Sequence, residues 1–314
     1  MASLRAIKNK ISSVKKTHQV TKAMETVSAT KMRKAQSAAL RARQYAVSAF
    51  KILARISDSI DLSSHPLVKK TNNTETKKKI LMVVISSDRG LAGGLNSSLF
   101  RLAQRTLRDK GVDFADTSII TIGKKAEGYF SFRGYFIKEK IASMGDLSET
   151  NNFNEVVESI TKLYLQDEYS ECLVVYTNFL STFEQKPVAR TLLPLSIDTL
   201  KEMIDGIAPV KGKFSENKVV VNTENLTHVS DYLFEPDPEA VFTSLIPRLL
   251  AIELHHAFLE SKASEHSARM IAMRNASDKA KEVTFTLTRD FNKARQSAIT
   301  REVSEIIGGI EAMK

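Results

Sequence analysis

The sequence predicts a mixed α+β chain: a long antiparallel coiled coil built from N- and C-terminal helices, plus a central α/β domain. Three observations carry this reading. Residues 1–65 and 248–307 contain neither glycine nor proline. All seven prolines lie from Pro66 to Pro247, and ten of the twelve glycines lie from Gly90 to Gly212. These two residues are the strongest breakers of regular backbone, so the ends read as unbroken helices and the middle as a turn-rich domain. Third, residues 1–55 hold thirteen Lys/Arg and a single acid, Glu25, while the rest of the chain is close to neutral. The segments expected are a helix over 1–65, a linker over 66–79, an α/β domain over 80–222, a connection over 223–236 and a helix over 237–314.

The N-terminal helix shows a 3-4 apolar spacing: Leu4, Ile7, Ile11 and Val14, then Ala35, Ala39, Ala42, Ala46 and Ala49, then Leu53, Ile56 and Ile60. That is a heptad-like seam. It is interrupted at His18, Thr21, Glu25 and Ser28, where Val20, Met24 and Val27 are expected to carry the apolar load. Ser3 is a plausible N-cap. The alanine stretch lets a partner helix approach closely.

The C-terminal helix has a clear start at Asp237-Pro238-Glu239, a cap residue before proline at the first helical position. Pro247 is expected to kink its first turns. From there a seam runs through Leu249, Ile252, His256, Leu259, Ala263, His266, Met270, Met273, Ser277, Ala280, Thr284, Leu287, Phe291, Ala294 and Ala298. It then slips one position to Ile299, Val303, Ile306, Ile310 and Met313, which re-aims the apolar face. At 1.5 Å per residue the C-terminal helix would span roughly 110 Å and the N-terminal one about 87 Å. Paired antiparallel with level bases, the longer helix overshoots over Ala298–Lys314. An apolar tip in water is unfavourable and implies a socket in another protein.

The middle alternates strand and helix. Strands are expected at Ile80–Ser86, Ser118–Ile122, Cys172–Thr177 and Val188–Leu195. Helices are expected at Asn96–Lys110, Lys124–Phe132 and Phe153–Leu165. This order suggests a mostly parallel sheet. Thr71–Lys79 reads as a polar linker, and Ala208–Glu216 and Asn222–Asp231 as looser connections.

Composition excludes several classes. The apolar runs fall well short of the roughly 18 residues that cross a membrane, and the basic N-terminus has no signal-peptide core. The lone Cys172 excludes an internal disulfide and reads as a small core residue. The loop Ser87–Asn96 joins a strand to a helix, where amides can cradle phosphate. It matches neither the dinucleotide nor the Walker pattern, so a structural turn is favoured, with Asp88 and Arg89 as interaction residues or a local ion pair. His255, His256, Glu260 and His266 lack the spacing of helix zinc sites. Asp88, Asp146 and Glu149 have no evident partner base, and no nucleophile elbow occurs. No catalytic constellation, metal site or cofactor is expected. The basic N-terminal helix leaves a nucleic-acid-binding or scaffold reading open. A phosphate-binding α/β enzyme with helical arms is a third reading.

Several segments together resemble a known family. Val20–Gln36 (VTKAMETVSATKMRKAQ), Ser86–Asn96 (SSDRGLAGGLN), Glu265–Met273 (EHSARMIAM) and Phe291–Gly309 (FNKARQSAITREVSEIIGG) are similar to the gamma subunits of F-type ATP synthases. Ala92, Lys279 and Ile310 depart from that pattern, the Ser63–Lys79 region is longer than in short members, and the dithiol insertion of chloroplast members is absent. The resemblance implies a Rossmann-like central domain and a non-catalytic rotating shaft. Its partners would be three alpha and three beta subunits, an epsilon-type subunit and the membrane rotor ring, with no nucleic acid and no membrane insertion. It would work on the cytoplasmic side of a bacterial plasma (inner) membrane. By the same resemblance Lys22, Met24, Arg295, Gln296, Ile299, Glu302, Ile306 and Ile310 would face the ring. Asp88, Arg89, Gly90, Gly93 and Gly94 form the family's central loop.

Overall fold

The structure is a computed structural model that describes residues 4–57, 66–68, 79–142, 144–146, 148–195, 235 and 237–312, with side chains of the first helix described up to position 42. The expected cap Ser3 and the connections Thr71–Lys78, Ala208–Glu216 and Asn222–Asp231 lie outside these residues. The chain divides into two units: residues 1–29 with 269–314, and residues 30–268.

The two long helices are α1 (Leu4–Ser57) and, at the other end, α5 (Pro238–Ala312). α5 starts at the expected proline, and the Asp237 carboxylate accepts the Ala240 amide at 2.8 Å, as an N-cap should. It runs through Pro247 as one helix. Ile246, Leu249 and Leu250 around it are buried, and that packing holds these turns helical despite the bond a proline removes.

In the first unit α1 and α5 pair along the expected seam. Leu4, Ile7, Ile11, Val14 and His18 are half-buried, and Thr21 and Ser28 are buried, against Met273, Ser277 and Ala280. The interruption is filled differently from expectation. Val20 and Val27 point outward, 58% and 55% exposed. The helical period keeps the polar positions in the seam, and they meet their own hydrogen-bonding needs. Thr21 donates to the Thr17 carbonyl at 3.0 Å. His18 Nδ1 sits 2.9 Å from the Ser277 hydroxyl and 3.0 Å from its carbonyl. Counting outward from this pair in antiparallel sense, Leu4 comes level with Phe291, and α5 runs on past it.

Among the described residues the sheet of the second unit has five strands: β1 (Ile80–Ile85), β2 (Thr117–Ile122), β3 (Phe136–Ile141), β4 (Glu171–Phe179) and β5 (Gln185–Leu193). Their order is β3-β2-β1-β4-β5. β1, β2, β3 and β4 are parallel, and β5 pairs antiparallel with β4. β3 has no counterpart in the expected elements. Its Lys138-Glu139-Lys140 charges hide the alternation, as is common on sheet edges. β5 begins earlier than expected and includes Pro187, which an edge strand tolerates.

Among the described residues three further α-helices belong to this unit: α2 (Leu95–Asp109), α3 (Lys124–Phe132) and α4 (Asn154–Leu165). α2 and α3 cover one sheet face through Leu99, Phe100, Ala103 and Phe130. α4 and α5 cover the other through Val156, Ile160, Leu250, Leu254 and Phe258, with Ala38, Ala39 and Ala42 of α1 added to that core. Each such fully buried large side chain stabilises by about 1.5–3 kcal/mol. Cys172 is a buried core residue of β4, where burial pushes its thiol up.

Candidate functional site

The loop after β1 is built to be rigid. Ser86 donates its amide to the Ile122 carbonyl at 2.8 Å and accepts the Ala126 amide on its hydroxyl at 2.8 Å. Gly123 is required for this closeness. Its φ is +103°, and a Cβ there would lie 2.3 Å from the Ser86 carbonyl oxygen. Asn96 donates to the Ser87 hydroxyl at 2.7 Å, which closes the loop across its base. Leu91 holds a left-handed φ of 65°, strained for a branched side chain.

Asp88 turns inward. One carboxylate oxygen accepts the Lys124 amide at the start of α3, at 3.1 Å. The other lies 3.9 Å from the Lys262 ammonium on α5. The positive end of α3 is thus occupied by the chain's own carboxylate, where a phosphate cradle would leave it open. Arg89, Gly90, Gly93 and Gly94 are exposed around this point, and Ala92 is buried.

The rest of the second unit holds a buried polar group that periodicity alone did not reveal. Along α5, Glu253, His256, Glu260, Ser261, Lys262, Ser264, Glu265, His266 and Ser267 are all buried. Arg190 on β5 donates to Glu253 at 3.2 Å. Burial pushes the Glu253 carboxyl up, opposed by that arginine. His266 Nε2 lies 3.2 Å from Asp146, which Lys31 also meets at 2.7 Å. The His266 contact first, and then Lys31, hold the Asp146 carboxyl well below the usual range. The expectation that Asp146 lacks a partner base is therefore corrected: loop and helix meet only in the fold.

His255 lies in a cleft of about 380 Å³ lined also by Arg41, Glu149 and Thr150. Its Nε2 faces the Ser148 carbonyl at 2.8 Å and its Nδ1 the Thr150 hydroxyl at 2.9 Å. Both nitrogens are engaged by a neutral ring, and burial holds its pKa below the ordinary value. His256 and Glu260 are 3.9 Å apart. Among the described residues no group of histidines, cysteines and carboxylates is arranged to hold a metal.

In the first unit, the expected contact residues form two separate bands. Lys22 is exposed and pairs with Glu25 at 2.9 Å, and Met24 is half-buried beside it. Arg295, Gln296, Ile299, Glu302, Ile306 and Ile310 lie at the far end of α5. By the His18–Ser277 register the two bands lie about 33 Å apart along the helix pair. Seam positions stay partly covered to Ala298, after which every residue through Ile310 is exposed. Ile299, Val303, Ile306, Ile307 and Ile310 are between 48% and 63% exposed. Between them Arg301 and Glu305 pair on the surface at 3.4 Å. Sequence reasoning missed a further outward apolar residue, Phe285 on α5, which is 73% exposed.

Comparison with known proteins gives a uniform result. The family model described as ATP synthase matches residues 3–313. The ATP synthase gamma chain of Pelotomaculum thermopropionicum is 37% identical over 314 residues, covering all of both chains. That of Moorella thermoacetica is 36% identical over 314 residues, again covering all of both. Among solved structures, a rotor chain of Euglena gracilis mitochondrial ATP synthase superposes with a TM-score of 0.60 at 20% identity, covering 94% of this chain and 98% of that one. A chain from the central stalk and c-ring of the Tetrahymena thermophila mitochondrial enzyme gives 0.57 at 23% identity, covering 82% and 99%. These two likenesses speak to the fold.

Proposed function

We propose that this chain, which belongs to the ATP synthase gamma chain family, works as the central shaft that turns inside a ring of three alpha and three beta subunits. Catalysis belongs to the beta subunits, and this subunit is non-catalytic. Ion flow through a membrane rotor ring turns the shaft, and its asymmetric surface drives the beta subunits in turn through their nucleotide-binding states. An epsilon-type subunit and the rotor ring bind its foot. No helix among the described residues is long and apolar enough to cross a membrane. We place the protein peripherally at the cytoplasmic face of a bacterial plasma membrane, held there by the rotor ring. The five-segment division at 65, 79, 222 and 236 is the domain organisation we propose.

The observation that carries this reading is the tip of α5. Five large aliphatic residues from Ile299 to Ile310 stand about half-exposed at the end of a long helix. A patch of this kind marks a protein contact, and a smooth apolar tip suits a sleeve that grips weakly and lets it turn. Lys22, Arg295, Gln296 and Glu302 are the proposed polar contacts to the ring, with Met24 an apolar one beside Lys22.

The test is ATP hydrolysis by matching alpha and beta subunits with and without this chain, alongside co-elution. One copy per ring and a raised steady turnover are expected; no co-elution and no change in turnover would sink the reading. For the contact assignment, Arg295→Glu is expected to fold normally, since the position is exposed, while coupled synthesis falls. Unchanged synthesis would remove Arg295 from the contact set.

A further inference from the structure

We infer that the buried stretch of α5 from Glu253 to Ser267 is a torque-bearing joint, in which Ser261, Lys262, Ser264 and Ser267 are positioning residues that key the shaft helix to the sheet. The inference rests on the shaft function.

Ser261, Ser264 and Ser267 recur every three residues and so share one helix face. Each meets a different part of the sheet's carboxyl edge. Ser261 donates to the Ile85 carbonyl at the end of β1, at 3.4 Å. Ser264 donates to the Thr177 carbonyl of β4 at 3.1 Å. Ser267 donates to the Thr182 carbonyl in the β4–β5 turn at 2.6 Å, and accepts from Gln185 at 3.4 Å. Beside them Lys262, its side chain 6% exposed, faces Glu265 at 3.2 Å and Asp88 at 3.9 Å. Asp88 in turn caps α3. Arg190 holds Glu253 one end of the stretch.

The place is telling. In a sheet of this order β1 and β4 flank the point where connections leave in opposite directions, and ligands normally bind beyond their carboxyl ends. Here hydroxyls of the chain's own helix bond to carbonyls there. The sheet that would hold a nucleotide in a Rossmann enzyme holds a shaft.

The chemistry explains why polar groups are used. Apolar contact is non-directional and lets a helix roll or slide at little cost. A hydrogen bond weakens steeply once its angle or distance is lost. Buried ion pairs also stabilise poorly compared with apolar packing of the same volume. A buried helix face rich in serine and charge therefore gains little in stability and much in angular definition. That is what a helix under twist requires. Torque for ion transport has to cross this joint, so slippage here would separate hydrolysis from ion transport.

The experiment uses the whole complex in membrane vesicles, with the triple variant Ser261→Ala/Ser264→Ala/Ser267→Ala and, separately, Asp88→Asn. The asparagine keeps an oxygen for the Lys124 amide and removes only the charge facing Lys262. In both variants hydrolysis is expected to persist, while ATP-driven ion pumping against a rising opposing gradient falls, by about fivefold for the triple variant. Assembly yield and thermal midpoint are measured in parallel. Pumping that keeps pace with hydrolysis at every load overturns the joint. So does an equal loss of both activities that tracks a lower assembly yield, which marks a folding role only. Failure of the unmodified chain to support pumping would strike the shaft function instead.

Discussion

Two stretches of the same helix invert the usual rule of protein surfaces. From Glu253 to Ser267, α5 is rich in charge and hydroxyls and is buried at every position except the half-buried His255. From Ile299 to Ile310 it is rich in aliphatics and is exposed at every position. Ordinarily charged residues stay out of the interior and aliphatics fill it. The buried stretch must not turn against its surroundings, so it uses directional bonds. The exposed stretch must turn against its surroundings, so it presents side chains that make none. The difference separates gripping from sliding.

The largest effect is expected where the gripping end loses the partner of its most buried carboxylate. Arg190→Ala leaves the Glu253 carboxylate, 1% exposed, without its partner. It should cost about 3–5 kcal/mol, read as a lowered thermal midpoint. Replacing both partners by apolar residues should restore much of that stability and still leave pumping impaired. Full recovery of pumping in the double variant would show that direction is not what the pair supplies.

At the sliding end, Ile306→Asp with Ile310→Asp should leave the isolated chain's stability within about 0.5 kcal/mol, because both sites are exposed. Retention in the ring should weaken by about tenfold, the size of a modest interface residue. Equal retention of variant and unmodified chain would place the ring contacts elsewhere.

The smallest effects come from acid. Asp146 is held below its ordinary range in the fold. Its contribution is full above the unfolded value of about 3.9 and fades as pH falls below it. His255 is held below its ordinary value, by burial. The unfolded chain therefore binds a proton first, and stability drops as pH falls through about 6.5. Thermal midpoints across this range should show both limbs. Asp146→Asn should flatten the lower one and His255→Gln the upper. An upper limb unchanged by His255→Gln would assign it to another group.

How much was legible differs by element. The two helices declared themselves because a 3-4 repeat sustained over dozens of residues leaves no rival pattern. The start at Asp237-Pro238 was equally plain. β3 was hidden because an edge strand carries charges at positions that an interior strand fills with valine. β5 showed as a strand but not as an antiparallel one, since direction is set by the short turn at Ser181–Glu184. Val20 and Val27 were assigned to the seam on hydrophobicity, and helix phase overruled it. The apolar tip was readable from the slip at Ile299. The joint was not: serines at 261, 264 and 267 look like any polar helix face until three carbonyls are set opposite them.

By itself, then, the order of residues determined where the chain stays helical, where it turns, which helix outlasts the other and that its tip is apolar. Those are local properties, decided by backbone freedom and by periodicity within one element. Only the tertiary structure decided which polar residues are buried, that Asp146 meets His266, and that Asp88 faces inward to α3 and Lys262. Burial and partnership depend on groups distant in sequence arriving together, and no single segment encodes what will stand across from it.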